Sequence, residues 1–315
     1  WERLLRLAPQ NPMPHNLLAS IAVSRKELEK AESLLRQSLS LEPTQFEIRL
    51  NLAMVLTWQS KAEEADRLLR DLIQEEPDRT DVRIELAHVA YQLQQYEESA
   101  AQWEIVCAVI PDHSEFLIEW ARSLLYAGDL EQAGLRAQRA AELDGGSLRA
   151  LNVLADIAQT GRRPAEAVPQ IRLLLDRTSD PLTRSQLRSR LVGLMRQLYD
   201  QDPARFPLSD IVKETRAALD EDPRNVNLLL FLAEIHLLNR ELDAAYQILD
   251  TVRRDMNPNN QRALRALLEI HLARREFDQA EQLIDAVYGS ASGDFVYRHL
   301  DLARLENARG NYYEA

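Results

Sequence analysis

Residues 77–111 read PDRTDVRIELAHVAYQLQQYEESAAQWEIVCAVIP, a stretch that begins and ends on prolines 34 residues apart. The same step occurs earlier, because prolines also stand at positions 9 and 43, and the next step after Pro111 lands on Gly145. Proline cannot continue a helix and disfavours helical backbone in the residue before it. The spacing therefore predicts a 34-residue unit that ends in a turn.

Small side chains recur at two fixed places in each unit. We number every repeat from three residues after its proline, so that position 1 of the quoted unit is Thr80. Position 8 is alanine in five consecutive units and position 20 is alanine or serine: Ala19, Ala53, Ala87, Ala121 and Ala155, then Ala31, Ala65, Ser99, Ala133 and Ala167. Two helices approach closely where their facing side chains are small. The pattern therefore predicts a tight helical hairpin in each unit.

The pattern is interrupted once and then resumes. Residues 182–225 form a unit of 44 residues, with leucines from Leu187 to Leu198 at the spacing of one helix face. Positions 8 and 20 are then filled by Ala233 and Ala245, Leu268 and Ala280, and Ala303 and Ala315. We predict a repeat array over residues 1–181 (a partial repeat, then five repeats from residue 12), an atypical longer hairpin over 182–225, and a continuing array over 226–315 with a truncated last repeat. A linker between two separate arrays is the alternative for the middle part.

The 34-residue period, with small residues at positions 8 and 20 and proline at position 32, resembles the tetratricopeptide repeat. The resemblance implies an all-α fold, a right-handed α-solenoid of tandem helix-turn-helix repeats in which each hairpin buries its faces against its neighbours. Composition agrees, since 9 glycines and 6% aromatic residues favour helices over sheets. A fold of this kind says little about function.

Motifs of catalysis and cofactor binding are missing from the sequence. It has no nucleophile elbow, phosphate-binding glycine loop or paired-histidine metalloprotease motif. The single cysteine, Cys107, cannot form a disulfide within the chain or a cysteine zinc cluster. His236 and His271, with Glu234 and Glu269, could hold zinc, but the near-duplicate segments around them favour packing. We therefore predict that the chain is not an enzyme and binds no metal or cofactor.

Charge is distributed unevenly along the chain, whose net charge is −12. Residues 41–119 hold 17 acidic and 6 basic residues, whereas residues 160–199 hold 8 arginines and 3 acids. An acidic protein with one basic patch, between Arg184 and Arg196, is a poor binder of nucleic acid. We expect these arginines to be solvated or paired with a partner's acids, and we predict no nucleic-acid binding.

The longest purely apolar stretch, from Leu228 to Ala233, is far shorter than the roughly 20 residues that cross a bilayer. No membrane insertion is therefore predicted. The sequence begins at Trp1 and ends at Ala315 inside helix-like segments, so we expect a piece of a longer protein. Only four of its 38 basic residues are lysines, a bias that we associate with bacterial genomes of high GC content.

The resemblance also implies a binding groove, lined by positions 2, 5, 9, 12 and 13 of the first helices. Position 2 is Glu47, Asp81 and Glu115, which we call the acidic rail, and positions 12 and 13 give Trp58, Tyr91 and Tyr126, the aromatic strip; position 9 adds Met54, His88 and Arg122. Rigid rings bury large areas and acids select basic ligands, so a basic peptide or a cationic amino-sugar polymer is the expected ligand. The alternatives are acids that serve the helix dipole and aromatic rings that pack inside the protein.

A non-catalytic scaffold for protein partners is the function that these features favour. The carboxylate clamp of chaperone adaptors is broken, because Asp81 and Glu85 stand where its third repeat is basic. Long, arginine-rich, divergent arrays of this kind are similar to the periplasmic repeat regions of bacterial exopolysaccharide exporters, which implies a periplasmic role in polysaccharide secretion and biofilm assembly. The alternatives are a cytoplasmic or inner-membrane assembly adaptor and the non-catalytic part of a larger polysaccharide-processing protein.

Overall fold

The computed structural model describes residues 10–288 and 295–310, and these residues form 17 helices and no strand. The helices are α1 (Pro12–Ser24), α2 (Leu28–Leu41), α3 (Phe46–Trp58), α4 (Ala62–Glu75), α5 (Thr80–Gln92), α6 (Tyr96–Val109), α7 (Ser114–Ala127), α8 (Leu130–Leu143), α9 (Leu148–Thr160), α10 (Pro164–Arg177), α11 (Pro181–Gln201), α12 (Leu208–Glu221), α13 (Val226–Leu238), α14 (Leu242–Asp255), α15 (Gln261–Arg274), α16 (Phe277–Tyr288) and α17 (Phe295–Arg309). The predicted all-α repeat fold is confirmed. The repeat positions Pro9 and Ala315, and the chain start at Trp1, lie outside the described residues.

Each repeat folds as two helices joined by a short turn, and the predicted small residues lie where the helices meet. Ala53 and Ala65, at positions 8 and 20 of one repeat, are fully buried, as are Ala87 and Ser99 in the next. The Ser99 hydroxyl donates to the carbonyl oxygen of Ala87 at 2.8 Å, which satisfies this polar group inside the hairpin. A larger side chain at either position would force the two helices apart.

The turn inside each hairpin places one residue, at position 15, in the left-handed region of backbone space. This residue is glycine in two repeats, Gly128 and Gly310, and a larger residue in six others, with φ between 54° and 60°: Lys26, Ser60, Gln94, Arg162, Arg240 and Arg275. The amide of position 16 then donates to the carbonyl oxygen of position 11, as from Gln95 to Ala90 at 2.8 Å. This bond closes the end of the first helix as in a Schellman motif.

The chain forms two compact units, residues 1–170 (unit 1) and residues 171–315 (unit 2), and the boundary falls inside α10. In unit 1 the core is built from buried side chains of both helices of each hairpin, among them Leu56, Leu69 and Trp103. Unit 2 repeats this arrangement, with Leu249 and Leu267 among its buried residues. Each unit therefore has its own apolar core.

Unit 2 contains the atypical repeat. Helix α11 runs for 21 residues, against 12 to 15 for the other helices, and it packs along α12. The leucines from Leu187 to Leu198 that mark one face of α11 are all buried, as their spacing predicts. The extra length of this repeat thus lies largely in its first helix. Because the structure divides the chain inside α10, the sequence-based division at residues 181 and 225 stays a prediction about repeat boundaries.

Candidate partner-binding groove

The first helices of unit 1 lie side by side, α3 against α5 and α7 against α9, and the second helices α2 and α4 each pack against the first helix that follows. Because the repeats have equal length, this stacking places equal positions of successive repeats in one row. Position 13 is Trp58 in α3, Gln92 in α5 and Tyr126 in α7. The side-chain amide of Gln92 donates to the carbonyl oxygen of Thr57 at 3.3 Å and ties α5 to α3 at this level.

A small apolar cavity lies at the α3 end of this row, and we call it the Trp58 pocket. Its volume is about 150 Å³, and its lining includes Met54 and Trp58 from α3 and Ala19 and Val23 from α1. Trp58 is 50% exposed, so its ring is an open wall and not part of the core. Apolar cavities of about this size accept a benzene-sized group. The structure thus brings the predicted Met54 and Trp58 together around a space for one apolar side chain.

Three tyrosines meet at the α7 end of the row, and we call them the tyrosine cluster. Tyr126 stacks on Tyr96, with ring centroids 5.2 Å apart and planes inclined by 27°. Tyr91 meets Tyr96 and Tyr126 edge-on, at 5.4 and 5.7 Å. Tyr126 is 57% exposed, so the stacked ring keeps a face towards solvent. Rings held in this way form a rigid contact surface with an apolar body and polar tips.

Arg122 supports the tyrosine cluster from α7. Its guanidinium donates to the Tyr91 hydroxyl at 3.2 Å and lies 5.1 Å from the centre of the Tyr91 ring. Burial raises the pKa of Tyr91, although Arg122 acts in the opposite direction. Burial also acts to lower the pKa of Arg122. The interactions with Glu119 and Tyr91 outweigh this effect of burial, so the pKa of Arg122 is raised. The pair is therefore a neutral phenol and a cation near neutral pH.

His88 contributes to packing more than to the open surface. Its ring meets the indole of Trp103 edge-on at 5.2 Å, and Trp103 is buried. Its Nδ1 atom lies 3.9 Å from the carboxylate of Glu85. Of the predicted groove residues, Trp58 and Tyr126 are exposed, whereas His88 and Tyr91 are half-buried by contacts inside the protein.

The acidic rail is neutralised by arginines of the protein itself. Arg79 donates to Glu47 at 2.9 Å and to Asp81 at 2.6 Å. The hydrogen bond from Arg79 lowers the pKa of Asp81, and the two carboxylates together raise the pKa of Arg79. Glu115 pairs in the same way with Arg149, from position 2 of the next repeat. A carboxylate with a cation beside it attracts a basic ligand less strongly than a free one, and a role of the rail in binding stays a prediction.

Four side chains described above were not predicted from the sequence: Arg79, Tyr96, Glu119 and Arg149. Tyr96 is the first residue of the second helix α6, and it meets Tyr91 because the hairpin turn brings positions 12 and 17 together. Arg149 binds Glu119 at 2.5 Å in addition to Glu115. Position 2 changes from glutamate in one repeat to arginine in the next, and this change is the sequence signal that could have predicted the pair of Glu115 and Arg149.

The side chains considered as zinc ligands are engaged separately. His236 and His271 each contact a glutamate five residues later, at 2.5 Å. Glu234 and Glu269 are bound by arginines of neighbouring helices. Among the residues that the structure describes, no group of three or more histidine, cysteine or acidic side chains is placed to hold a metal ion.

The basic patch on α11 is paired within the chain. Arg188 binds Glu214 at 2.9 Å and Glu221 at 3.1 Å, and Arg184 binds Glu221 at 2.9 Å. The expectation that these arginines are solvated or await a partner's acids is wrong for Arg184 and Arg188, because the neighbouring α12 supplies the carboxylates. Within the described part of the chain, the helices fall short of the length and apolarity that spanning a bilayer requires.

Comparison with known families agrees with this architecture. Residues 3–117 match the model of the TPR domain of cytochrome c-type biogenesis protein H, residues 214–257 match one tetratricopeptide-repeat model, and residues 118–180 and 248–295 match another. Stacked helical hairpins with a row of adjacent first helices define a helical-repeat protein. The chain is, more specifically, a tetratricopeptide-repeat protein.

Several solved structures resemble the chain at low sequence identity. MamA, from residue 41 to its end, from Desulfovibrio magneticus RS-1 has a TM-score of 0.51 and 15% identity, over 54% of this chain and 97% of that chain. YrrB, a TPR protein with an unusual peptide-binding site, has a TM-score of 0.49 and 16% identity, over 57% and 92%. PilW, a type IV pilus biogenesis factor, has a TM-score of 0.49 and 21% identity, over 55% and 80%. A search of curated proteins found no significant match. These similarities concern the fold alone.

Proposed function

We propose that the chain is a non-catalytic scaffold whose unit 1 groove binds an extended segment of a partner protein. The observation that carries the proposal is the presence of two solvent-open apolar sites, the Trp58 pocket and the tyrosine cluster, on one row of first helices. Trp58 and Tyr126 are half exposed or more; Trp58 forms a wall of the Trp58 pocket, and the Tyr126 ring is held by stacking on Tyr96. Large exposed rings in fixed positions are typical of binding hot spots.

The spacing of the two sites defines the ligand. Helices that pack side by side lie about 8–10 Å apart, so two helix spacings separate Trp58 from Tyr126 by roughly 16–20 Å. An extended chain advances about 3.3 Å per residue, and about five or six residues span this distance. The proposed ligand therefore carries one compact apolar side chain for the Trp58 pocket and a second apolar side chain, about five or six residues away, for the exposed face of Tyr126.

Charge has a secondary part in this proposal. Arg79 and Arg149 neutralise the acidic rail, so burial of apolar side chains is the main source of affinity. The basic peptide or cationic polysaccharide expected from the sequence stays a prediction, and it requires a ligand that displaces these arginines from their carboxylates.

Selection from a random library of 12-residue peptides tests the groove. We expect the selected peptides to share two apolar residues at the spacing given above, and Trp58→Ala to weaken their binding at least tenfold, measured by fluorescence polarisation. Leu238→Ala is the matched control, because Leu238 occupies position 13 in unit 2 and is 72% exposed. Peptides that bind the wild type and Trp58→Ala equally would refute the proposed groove.

For the biological setting we propose a periplasmic repeat region that assembles an exopolysaccharide export system. The support is the resemblance that the sequence itself suggests between this long, arginine-rich array and the repeat regions of such exporters. Deletion of the gene in its source bacterium should abolish secreted polysaccharide and biofilm, and fractionation should recover the protein from the periplasm. Recovery from the cytoplasm alone would favour an assembly adaptor instead.

A second setting is favoured by the match of residues 3–117 to the TPR domain of cytochrome c-type biogenesis protein H. In this setting the scaffold serves the assembly of c-type cytochromes. Haem staining of the deletion strain separates the two possibilities, because loss of c-type cytochromes with normal polysaccharide supports the second setting and the reverse pattern supports the first.

A further inference from the structure

Helix α6 is apolar on the side that faces solvent as well as on the side that faces the core. Opposite the buried Trp103, its outer face carries Ala101, Ile105, Ala108 and Val109, which we call the α6 stripe. Ile105 is 41% exposed and Val109 is 64% exposed. A helix with apolar residues on two opposite faces ordinarily buries both of them. The α6 stripe therefore lacks the neighbour that such a helix ordinarily has.

The preceding repeat shows that the fold does not require this surface. The residues 34 positions before the α6 stripe, on the outer face of α4, are Arg67, Asp71, Gln74 and Glu75, and all four are exposed. The two helices have the same length and occupy the same place in their hairpins. The four residues that form the α6 stripe stand at solvent-facing positions in both helices, so the hairpin fold does not require them to be apolar.

The border of the α6 stripe is acidic and is neutralised only in part. Helix α6 contains Glu97, Glu98 and Glu104 and no basic residue. Glu104 is exposed beside Ile105, and neither Glu97 nor Glu104 pairs with another described residue. Glu98 has Arg70 of α4 at 3.8 Å. Glu97 and Glu104 therefore differ from the carboxylates of the acidic rail, which pair with arginines of the protein.

We propose that the α6 stripe is a docking site for an amphipathic helix of another protein, whose apolar face is bordered by lysine or arginine. Ala101 and Ala108 allow a second helix to approach closely, and Ile105 and Val109 supply apolar area for burial. Basic residues at the border of the partner helix meet Glu97 and Glu104 with opposite charge. Helix α6 is the second helix of its hairpin, whereas the groove is formed by first helices. Binding at the α6 stripe is therefore independent of a ligand in the groove.

Charge disfavours a second copy of this chain as the occupant. In a two-fold symmetric contact the same surface of both copies meets itself. Glu104 borders the α6 stripe about halfway along its length, so two copies of α6 that cross there bring two Glu104 carboxylates close to each other. Like charges that face each other across an interface oppose association. A helix with a basic border avoids this repulsion and gains attraction.

Two labelled peptides and one double variant test the proposal. The first peptide is an 18-residue amphipathic helix with leucines on one face and lysines along its border, and the second has glutamate in place of every lysine. The variant Ile105→Asp/Val109→Glu gives α6 the residues that α4 already carries as Asp71 and Glu75, so we expect it to fold, as checked by circular dichroism. Leu182→Asp/Leu300→Glu is the control, since it adds the same charge at leucines that are 68% and 53% exposed elsewhere.

We expect the lysine-bordered peptide to bind the wild-type protein. Its affinity for the Ile105→Asp/Val109→Glu variant should be at least tenfold lower, although the added acidic charge alone would attract a basic peptide. The control variant should bind like the wild type, and the glutamate-bordered peptide should bind the wild type at least tenfold more weakly. Undiminished binding to Ile105→Asp/Val109→Glu would overturn the proposal, because general attraction between a basic peptide and an acidic protein would then explain the affinity.

Three other outcomes would also overturn it. A concentration-dependent dimer in sedimentation that Ile105→Asp/Val109→Glu dissociates would assign the α6 stripe to a second copy. Binding to phosphatidylcholine vesicles without binding of either peptide would assign it to a lipid surface. Loss of peptide binding on Trp58→Ala would place the peptide in the groove, whereas the proposal expects this variant to bind like the wild type.

Discussion

Units 1 and 2 are built on the same repeat but differ at the end of their first helices. In unit 1, position 13 holds rings that are open to solvent, Trp58 and Tyr126. In unit 2, position 11 holds His236 and His271, each in contact with a glutamate of the following turn. Ala233, Ala245 and Ala280 of unit 2 are buried, like the alanines at positions 8 and 20 of unit 1. A few core positions thus maintain the hairpin, while the residues around its turn can form either an open apolar surface or a histidine–glutamate contact, which we call a polar clasp: His236 with Glu241 and His271 with Glu276.

The largest expected effect lies in the cores, where the units should respond separately. Trp103 in unit 1 and Leu249 in unit 2 both occupy position 24 and are 1% exposed. Trp103→Ala should cost about 3–5 kcal/mol and Leu249→Ala about 2–5 kcal/mol of unfolding free energy, because each leaves a cavity. Amide hydrogen exchange should accelerate in the unit that carries the substitution. Equal acceleration in both units would mean that they unfold together, which would contradict the prediction that they respond separately.

Cys107 provides a chemical probe of unit 1 alone, because it is the single cysteine and is buried in α6. Burial raises the pKa of its thiol to about 11. The thiolate is the reactive form, so near pH 8 iodoacetamide should modify the folded protein at least about a hundredfold more slowly than the unfolded chain. Trp103→Ala should speed this reaction and Leu249→Ala should not. Fast modification of the wild type would contradict the burial of this thiol.

The same pKa shift predicts a loss of stability in alkali. The thiol ionises near pH 8.5 in the unfolded chain but only near pH 11 in the folded one. Its contribution is therefore fully present below about pH 8.5 and is lost as the pH rises towards about 11, because the unfolded chain releases a proton that the folded chain retains. Urea unfolding at pH 7 and pH 10.5 should show a smaller decrease in stability for Cys107→Ala than for the wild type.

The polar clasps of unit 2 should have an intermediate effect. His271→Ala places at position 11 the residue that unit 1 has there as Ala90, and it removes a contact between a buried imidazole and Glu276. Hydrogen bonds to charged groups contribute about 1.5–3 kcal/mol, and Glu276 regains part of this by contact with water, so we expect a loss of about 1–2 kcal/mol. His236→Ala is the parallel test. No change in the urea midpoint for either variant would show that the clasps do not stabilise unit 2.

The acidic rail should have the smallest effect. Replacing Glu47, Asp81 and Glu115 together with alanine should leave helicity unchanged and shift Tm by no more than about 2 °C, because exposed ion pairs contribute little. Thermal melts at low and high salt should differ less in this variant than in the wild type, since salt screens the pairs that it lacks. A drop in Tm of ten degrees or more would instead mean that Arg79 and Arg149 need these carboxylates to hold the repeats together.

Part of the fold and of the candidate site was predictable from the sequence. The alanines at positions 8 and 20 predicted the hairpins, and the spacing of positions 9 and 13 on one helix put Met54 and Trp58 at one cavity, whose role in binding stays a prediction. The turn residue was not predictable, because Ser60 and Gln94 adopt left-handed backbone at position 15 without the glycine that usually signals it. Such a conformation costs about 1–2 kcal/mol in a residue with a side chain, and the packed helices on either side impose it.

The amino-acid sequence by itself determined the helical hairpin and its 34-residue period, because helix stops and small-residue contacts act within one repeat. Tertiary structure decided which charges are neutralised and which apolar side chains stay exposed. Glu47 meets Arg79 only when two repeats stack, and Ile105 lacks a neighbour only because no described helix covers the outer face of α6. These properties depend on residues that are distant in the sequence, so no local pattern could determine them.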